Sequence, residues 1–385
     1  MEEITGAFRD RFDRDPGFLA RAPGRVEFIG NHTDYNGGCV LGAAVDRFLT
    51  VALAPRSDGR MRFASANNPE YVVFESARTA LETGAGWVRY PLGVLSFLGE
   101  AGVALPGGFD FLVSSEIPAG AGLSSSAAFE LASSIAFESM AGRALEPMER
   151  VRLCRRAENE VVGVPCGILD QGVSGFGEPD RLVHIDCATE RIRTVPGPAA
   201  ARLWIFDSGE KHSLVDGLYS RRHAECREAF EILRARVPGL DWLAHADPED
   251  LGRCRDGMPE AVYRRAFHVI HEHRRVGLCE AALAAGDRAE VGRLLFESHR
   301  SSSKYFENSI EQLDMLVDLL AAEEGVIGAR LTGGGFGGAV MALCGDGFSD
   351  RTAGRVAGRF AERFGHRPAC RSLSIAGGAK EVTLS

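Results

Sequence analysis

The segment PAGAGLSSSAA, residues 118 to 128, constrains the fold more than any other stretch of the chain. Before it, GFDFLVSS alternates, with Phe109, Phe111 and Val113 on one side, as a half-buried strand does. After it, AAFELASSIAFESM repeats Phe129, Ala132, Ala136, Phe137 and Met140 at helical spacing. A glycine turn between a strand and a helix lets backbone approach a ligand closely. The free N–H groups at the start of the helix add partial positive charge. Gly120, Gly122 and Leu123 with Ser124, Ser125 and Ser126 therefore read as a cradle for a polyanion. The serine hydroxyls can serve phosphate, a metal or simple helix capping, and a plain serine-capped turn is the alternative. The segment is not the common P-loop, because G-x-x-x-x-G-K-[ST] occurs nowhere.

The surroundings describe a mixed chain. FLARAPGRVEFIG and CVLGAAVDRFLTVALAP contain strand-like runs, and EPMERVRLCRRAENEVVG reads as a helix, with Pro147 in its first turn and Gly163 at its end. Beyond residue 197, ARLWIFDSG reads as a strand. Charged helices are predicted near 214–236, 259–285, 287–299 and 309–323, and GVIGARLTGGGFGGAVMALC reads as strand, glycine loop, strand. At 385 residues the chain has room for two domains, placed at 1–196 and 197–385 on the soft boundary near Pro196 and Pro198. A net charge of −9 argues against non-specific nucleic-acid binding and supplies no attraction to an anionic membrane. No apolar run is long enough to cross a bilayer, and the N-terminus has no secretory core segment. Nine scattered cysteines without Cys-x-x-Cys or zinc-ligand spacing predict reduced, mostly buried thiols in a cytoplasmic protein.

Three further stretches carry chemistry. GRVEFIGNHTDYNGG, residues 24 to 38, crowds Arg25, Asn31, His32, Asp34 and Tyr35 between apolar segments. VPCGILDQGVSGFG sets Asp170 among apolar residues and glycines, where a tight, part-buried site or a turn cap is expected. Glu158 falls on the apolar stripe of its helix and so needs an arginine, a hydrogen-bond donor or a cation such as Mg²⁺. LTGGGFGGAV formally contains G-x-G-x-x-G at Gly333, Gly335 and Gly338. A strand-like segment follows it rather than a helix, so the dinucleotide reading is rejected in favour of a close backbone approach.

Together these loops resemble the GHMP small-molecule kinases. GRVEFIGNHTDYNGG is similar to the galactokinase sugar signature Gly-Arg-Val-Asn-Leu-Ile-Gly-Glu-His-Thr-Asp-Tyr. CGILDQ resembles the segment of the family's catalytic aspartate, and LYSRRHAEC, residues 218 to 226, a segment whose tyrosine contacts sugar. The match runs in family order from about residue 18 to 340. The resemblance implies an α+β, two-domain GHMP kinase fold. Its N-terminal mixed sheet with helices and its C-terminal ferredoxin-like α/β sandwich would enclose the active site in the cleft between them. It further implies transfer of the ATP γ-phosphate to the anomeric hydroxyl of D-galactose. On matching positions, Asp170 and Arg25 stand at the reacting hydroxyl, while Asn31, His32, Asp34, Gly167, Asp170 and Tyr219 contact the sugar. Gly120 to Ser126 cover the phosphates, Gly334 and Gly335 support them, and Ser126 and Glu158 hold Mg²⁺. Trp87 is a candidate for the adenine. A monomer taking only sugar and ATP, without nucleic acid or membrane partners, is expected.

One departure bears on substrate. Asn31 stands where galactokinases have the glutamate that contacts the hydroxyl on carbon six, so galacturonate, L-arabinose and N-acetylgalactosamine remain open beside galactose. A non-catalytic sugar sensor is the other class. The Ser126–Ala127 pair, Asp170 and Arg25 argue for the enzyme.

Overall fold

A computed structural model describes residues 2–105, 107–118, 122–164, 166–211 and 215–383. The first half of the chain builds a sheet around two long strands. Phe18–Ile29 lies antiparallel to Cys39–Arg56, which pairs on its other side with Gly108–Ser115 and, nearer its start, with Arg181–Asp186. Met61–Ser65 joins Gly108–Ser115 in parallel, which makes the sheet mixed. Arg202–Lys211, Val326–Thr332, Gly337–Cys344 and Ala369–Leu373 form a second, antiparallel sheet. Numbered within that sheet, its order is 4-1-3-2, the ferredoxin-like arrangement. The chain leaves the first sheet after Pro196 and enters the second at Arg202. Lys380–Val382 then returns to pair with Leu19–Arg21, so the last strand belongs to the first sheet.

The helix after the phosphate loop, Ser125–Ala141, is buried on nearly every side, not along a single stripe. The sheet lies on one side of it and the helices Arg89–Glu100 and Pro147–Ala157 on the other. Alanines and serines permit that close packing. Of its two buried glutamates, Glu130 and Glu138, the second is neutralised by a two-pronged pair with Arg150 at 2.6 and 2.7 Å. The predicted helix through 163 ends differently from expectation. Pro147–Ala157 is α-helical, Glu158–Val162 widens into a π turn, and Gly163 closes it in the left-handed conformation.

GFDFLVSS is buried on both faces, contrary to the half-buried reading. The second face is covered by a helix that the polar N-terminus concealed, Glu2–Phe12, whose Ile4, Phe8 and Phe12 pack on Ala52, Ala64 and Leu112. Asp110 on that strand is fully buried and held by Arg62 at 2.5 Å. A second helix absent from the sequence reading, Asp350–Phe364, packs Val356 and Phe360 against Trp204 and Phe206. Leu203, Ile205, Leu294 and Met341 join the same buried cluster as Val26 and Phe28, so the two sheets share a continuous interior. No helix among the described residues is long and apolar enough to cross a membrane.

Phe8 is fully buried beneath the first sheet. Phe8→Ala is expected to cost about 3–5 kcal/mol of stability in urea unfolding. A loss below about 1 kcal/mol would mean that the N-terminal helix does not cover that face.

Candidate active site

The strand Phe18–Ile29 alternates its faces, so Arg25 and Glu27 project to one side. Arg25 meets Asp170, which stands in the first turn of the helix Leu169–Phe176. Its Nε donates to Asp170 Oδ1 at 2.7 Å and its Nη2 lies 2.6 Å from the same oxygen. Arg25 Nη1 donates to the carbonyl of Gly122 at 2.8 Å, and Ser124 Oγ donates to Asp170 Oδ2 at 2.5 Å. The arginine, the aspartate and the phosphate loop thus form one constellation. Ser124 itself sits at φ 50°, a left-handed conformation rare outside glycine, which marks backbone strain held by its surroundings. Its side chain is turned to Asp170, and Ser125–Ala141 has no side-chain cap, so the helix N-terminus keeps its N–H groups for a ligand.

Past the strand, the chain turns sharply and carries Asn31, His32 and Asp34 into the same space. His32 is left-handed at φ 59°. Tyr35 Oη donates to His32 Nδ1 at 2.9 Å and His32 Nε2 donates to the carbonyl of Gly334 at 3.0 Å. Burial pushes its pKa down to about 3, so the ring is neutral. Glu272 fixes the turn from the helix Glu260–Ala284, accepting the N–H groups of Gly30 and Asn31 at 3.1 Å each. Asp34 lies close against Gly167, where an added Cβ would push its Oδ2 aside, so glycine at 167 leaves the Asp34 carboxyl its place. Burial, then the charge of Glu27, pushes Asp34 up to about 7. Tyr219 on Val215–Arg234 closes the wall, its ring centroid 5.5 Å from that of His32.

Asn31 is buried and its side chain is fully engaged. Nδ2 donates to Glu27 Oε1 at 3.0 Å and to the carbonyl of Gly333 at 2.8 Å. Oδ1 accepts from Ser302 Oγ at 3.1 Å and Asn308 Nδ2 at 2.8 Å. The negative charge missing at position 31 reappears at Glu27, in the same cavity.

Glu158 opens the π turn and lies behind the phosphate loop. It hydrogen-bonds Ser126 and accepts from Gln171 Nε2 at 2.6 Å. Gln171 also donates to Glu130 Oε2 at 3.0 Å. Burial, then the charge of Asp170, raises the Glu158 pKa, and Glu130 is raised for the same first reason. A cation at Ser126 and Glu158 would relieve that crowding of carboxylates. Two protein ligands, with phosphate oxygens and water completing the shell, are what Mg²⁺ usually takes. The residues present fit the ion.

Three cavities run end to end. The first, about 500 Å³, is lined by Arg25, Glu27, Asn31, His32, Asp34, Gly167, Asp170, Tyr219 and Gly334. The second, about 440 Å³, is lined by Gly122 to Ser126 and by Gly333 to Gly338, and it shares Arg25, Gly333 and Gly334 with the first. The third, about 550 Å³, continues from Ser125 and Ser126 to Trp87, Tyr90, Phe129 and Asn67. Gly335 supports the second cavity at φ +78°, where a Cβ would collide with the carbonyl of Asn308. Gly120 lies outside the described residues. Sequence reasoning missed Glu27, Glu272, Glu130 and Gln171. Glu27 was open to discovery, because a charged residue two places from Arg25 on an apolar strand must share its face.

A polyanion loop at a helix start, a sugar-sized cavity and an Arg–Asp pair between them define a small-molecule kinase. The chain matches the models of the GHMP kinases N terminal domain at residues 89–178 and the GHMP kinases C terminal at 279–366, and the galactokinase galactose-binding signature at 6–55. It is 38% identical to the galactokinase of Chloroflexus aggregans over 343 residues, 89% of this chain and 88% of that one. It is also 38% identical to the galactokinase of Homo sapiens over 352 residues, again 89% and 88% of the two chains. The crystal structure of Lactococcus lactis galactokinase complexed with galactose superposes with a TM-score of 0.93 at 30% identity, covering 99% of each chain. A mevalonate kinase shares the fold at TM-score 0.69 and 16% identity, covering 94% of this chain and 100% of that one. The chain belongs to the GHMP kinases, in their galactokinase family.

The raised Asp34 pKa has a thermodynamic consequence. The unfolded carboxyl titrates near 3.8 and the folded one near 7, so between those values the folded state holds a proton that the unfolded state has lost. The stabilisation this group contributes is complete below the unfolded value and is lost as pH rises through about 7. Asp34→Asn is therefore expected to raise the melting temperature of the ligand-free protein more at pH 8 than at pH 5. An equal shift at both pH values would contradict the burial of that carboxyl.

Proposed function

We propose that this protein transfers the γ-phosphoryl group of ATP to the anomeric hydroxyl of D-galactose, giving galactose 1-phosphate and ADP. The observation that carries the reading is the position of Arg25. It lines both the sugar-sized cavity and the phosphate groove, with Asp170 bonded to it. A hydroxyl in the first cavity and a phosphoryl group in the second would meet at that pair.

Asp170 accepts a hydrogen bond from the anomeric hydroxyl, aims its oxygen at phosphorus and takes its proton as the bond to the β-phosphate oxygen breaks. Arg25 neutralises charge on the transferring group. Phosphoryl transfer needs such positioning and charge stabilisation more than covalent help. Asp34, held by Gly167, accepts hydroxyls of the ring, and Tyr219 and the neutral His32 shape the pocket. The N–H groups from Gly122 to Ser126 receive the phosphates, and Gly334 and Gly335 close over them. Ser126 and Glu158 would hold Mg²⁺, which would offset phosphate charge. The aromatic third cavity, with Trp87 and Phe129 stacked 6.0 Å apart, takes the adenine. The cavities described draw on both halves of a single chain and the reading requires no second subunit, so a monomer is proposed, and nine free cysteines suit the cytoplasm.

A sugar acid fits less well. Its carboxylate would enter a cavity already lined by Glu27, Asp34 and Asp170. An ADP-release assay over galactose, galacturonate, L-arabinose and N-acetylgalactosamine is expected to rank galactose first. Asp170→Asn should lower turnover by about 10²–10⁴-fold with an unchanged circular dichroism spectrum. Near-normal turnover in that variant, or a preference for galacturonate, would refute the reading.

A further inference from the structure

We propose that Glu27 is a specificity-determining residue of the sugar cavity, accepting a hydrogen bond from one sugar hydroxyl through its second carboxylate oxygen while Asn31 stays out of contact with the substrate. The inference rests on the proposed function, in that it takes the first cavity to hold galactose.

Glu27 is only 4% exposed, yet its carboxylate is half used. Oε1 accepts from Asn31 Nδ2 at 3.0 Å and from Arg330 Nη2 at 2.8 Å. Oε2 has no hydrogen-bond partner among the described residues and is not one of the sealed interior atoms; the residue lines the cavity. A nearly buried carboxylate oxygen without a donor is costly, and a ligand hydroxyl supplies the missing one. Asn31 is in the opposite condition, since both its amide hydrogens and its oxygen already have protein partners. The family signature has asparagine at the position of Glu27 and glutamate at that of Asn31. This chain therefore keeps one carboxylate and one carboxamide, hydrogen-bonded to each other, and exchanges their places. The exchange retains an acceptor for a neutral hydroxyl, and with it a repulsive wall against an anionic substituent.

Glu27 is also the counter-charge of Arg330, which is fully buried, so a loss of activity alone would not separate a sugar contact from a structural role. A series of 2-, 3-, 4- and 6-deoxygalactose separates them. The unaltered protein is expected to use at least one of these sugars about tenfold or more less efficiently than galactose, the size of a hydrogen bond to a charged group. Glu27→Gln should close that gap to about threefold or less, with KM for ATP unchanged. A purely structural role would slow all five sugars alike and leave the gap open, which would overturn the inference. If Glu27→Gln does not fold, Glu27→Gln with Arg330→Met removes the ion pair as a unit and carries the same test. Failure of the unaltered protein to phosphorylate galactose would overturn the proposed function and this inference with it. A persistent gap in a folded variant that still uses galactose overturns this inference alone.

Discussion

The contact between Arg25 and Asp170 joins residues 145 positions apart and holds the two halves of the site in register. A guanidinium this deeply buried needs an anionic partner, so the pair is a packing requirement as well as a chemical one. The strand that carries Arg25 and the helix that carries Asp170 are locked a second time where Ser174 Oγ donates to the carbonyl of Pro23 at 2.6 Å. Through Gly122 and Ser124 the same pair grips the phosphate loop. Loosening it would separate the sugar cavity from the phosphate groove.

The second sheet supplies the restraint that the first cannot. Arg330 and Thr332 reach across to the backbone of Glu27, and Asn308 ties Asn31 to the glycine loop through Gly334. Three non-glycine residues around the cleft, His32, Ser124 and Phe336, are held at positive φ. Such conformations persist only where surrounding contacts over-determine them, and they collect where a ligand must meet preset groups. The raised pKa values of Glu27, Asp34 and Glu158 belong to the same pattern. Carboxyl groups are kept buried around the cleft at some expense to stability, ready for hydroxyls or a cation.

The sequence made much of this legible because short-range chemistry was concentrated in a few loops. The strands at 18–29 and 39–56, the buried helix after the triple serine and the four helices predicted between about 214 and 323 were readable from periodicity, whereas Asp350–Phe364 was not. The helix Glu2–Phe12 was not, since its three large apolar residues are spread one per turn through charged neighbours. Nor was the burial of both faces of Gly108–Ser115, which depends on that helix. At the site, the motif residues could be named, but not how far their hydrogen-bonding capacity is already used. The resemblance implied a sugar contact at Asn31 from the glutamate that galactokinases carry there. That both its amide hydrogens and its oxygen already have partners, in Glu27, Gly333, Ser302 and Asn308, is visible only in three dimensions. Long-range contacts of that kind leave no local pattern.

The most direct test of the account is a double-mutant cycle on kcat/KM for the sugar, using Arg25→Met, Asp170→Asn and the double variant. Groups that act as a unit give losses that do not add, so the double variant is expected to fall little below the worse single variant. Losses that multiply, each residue contributing as if the other were intact, would contradict the claim that the pair works as one device between sugar and phosphate.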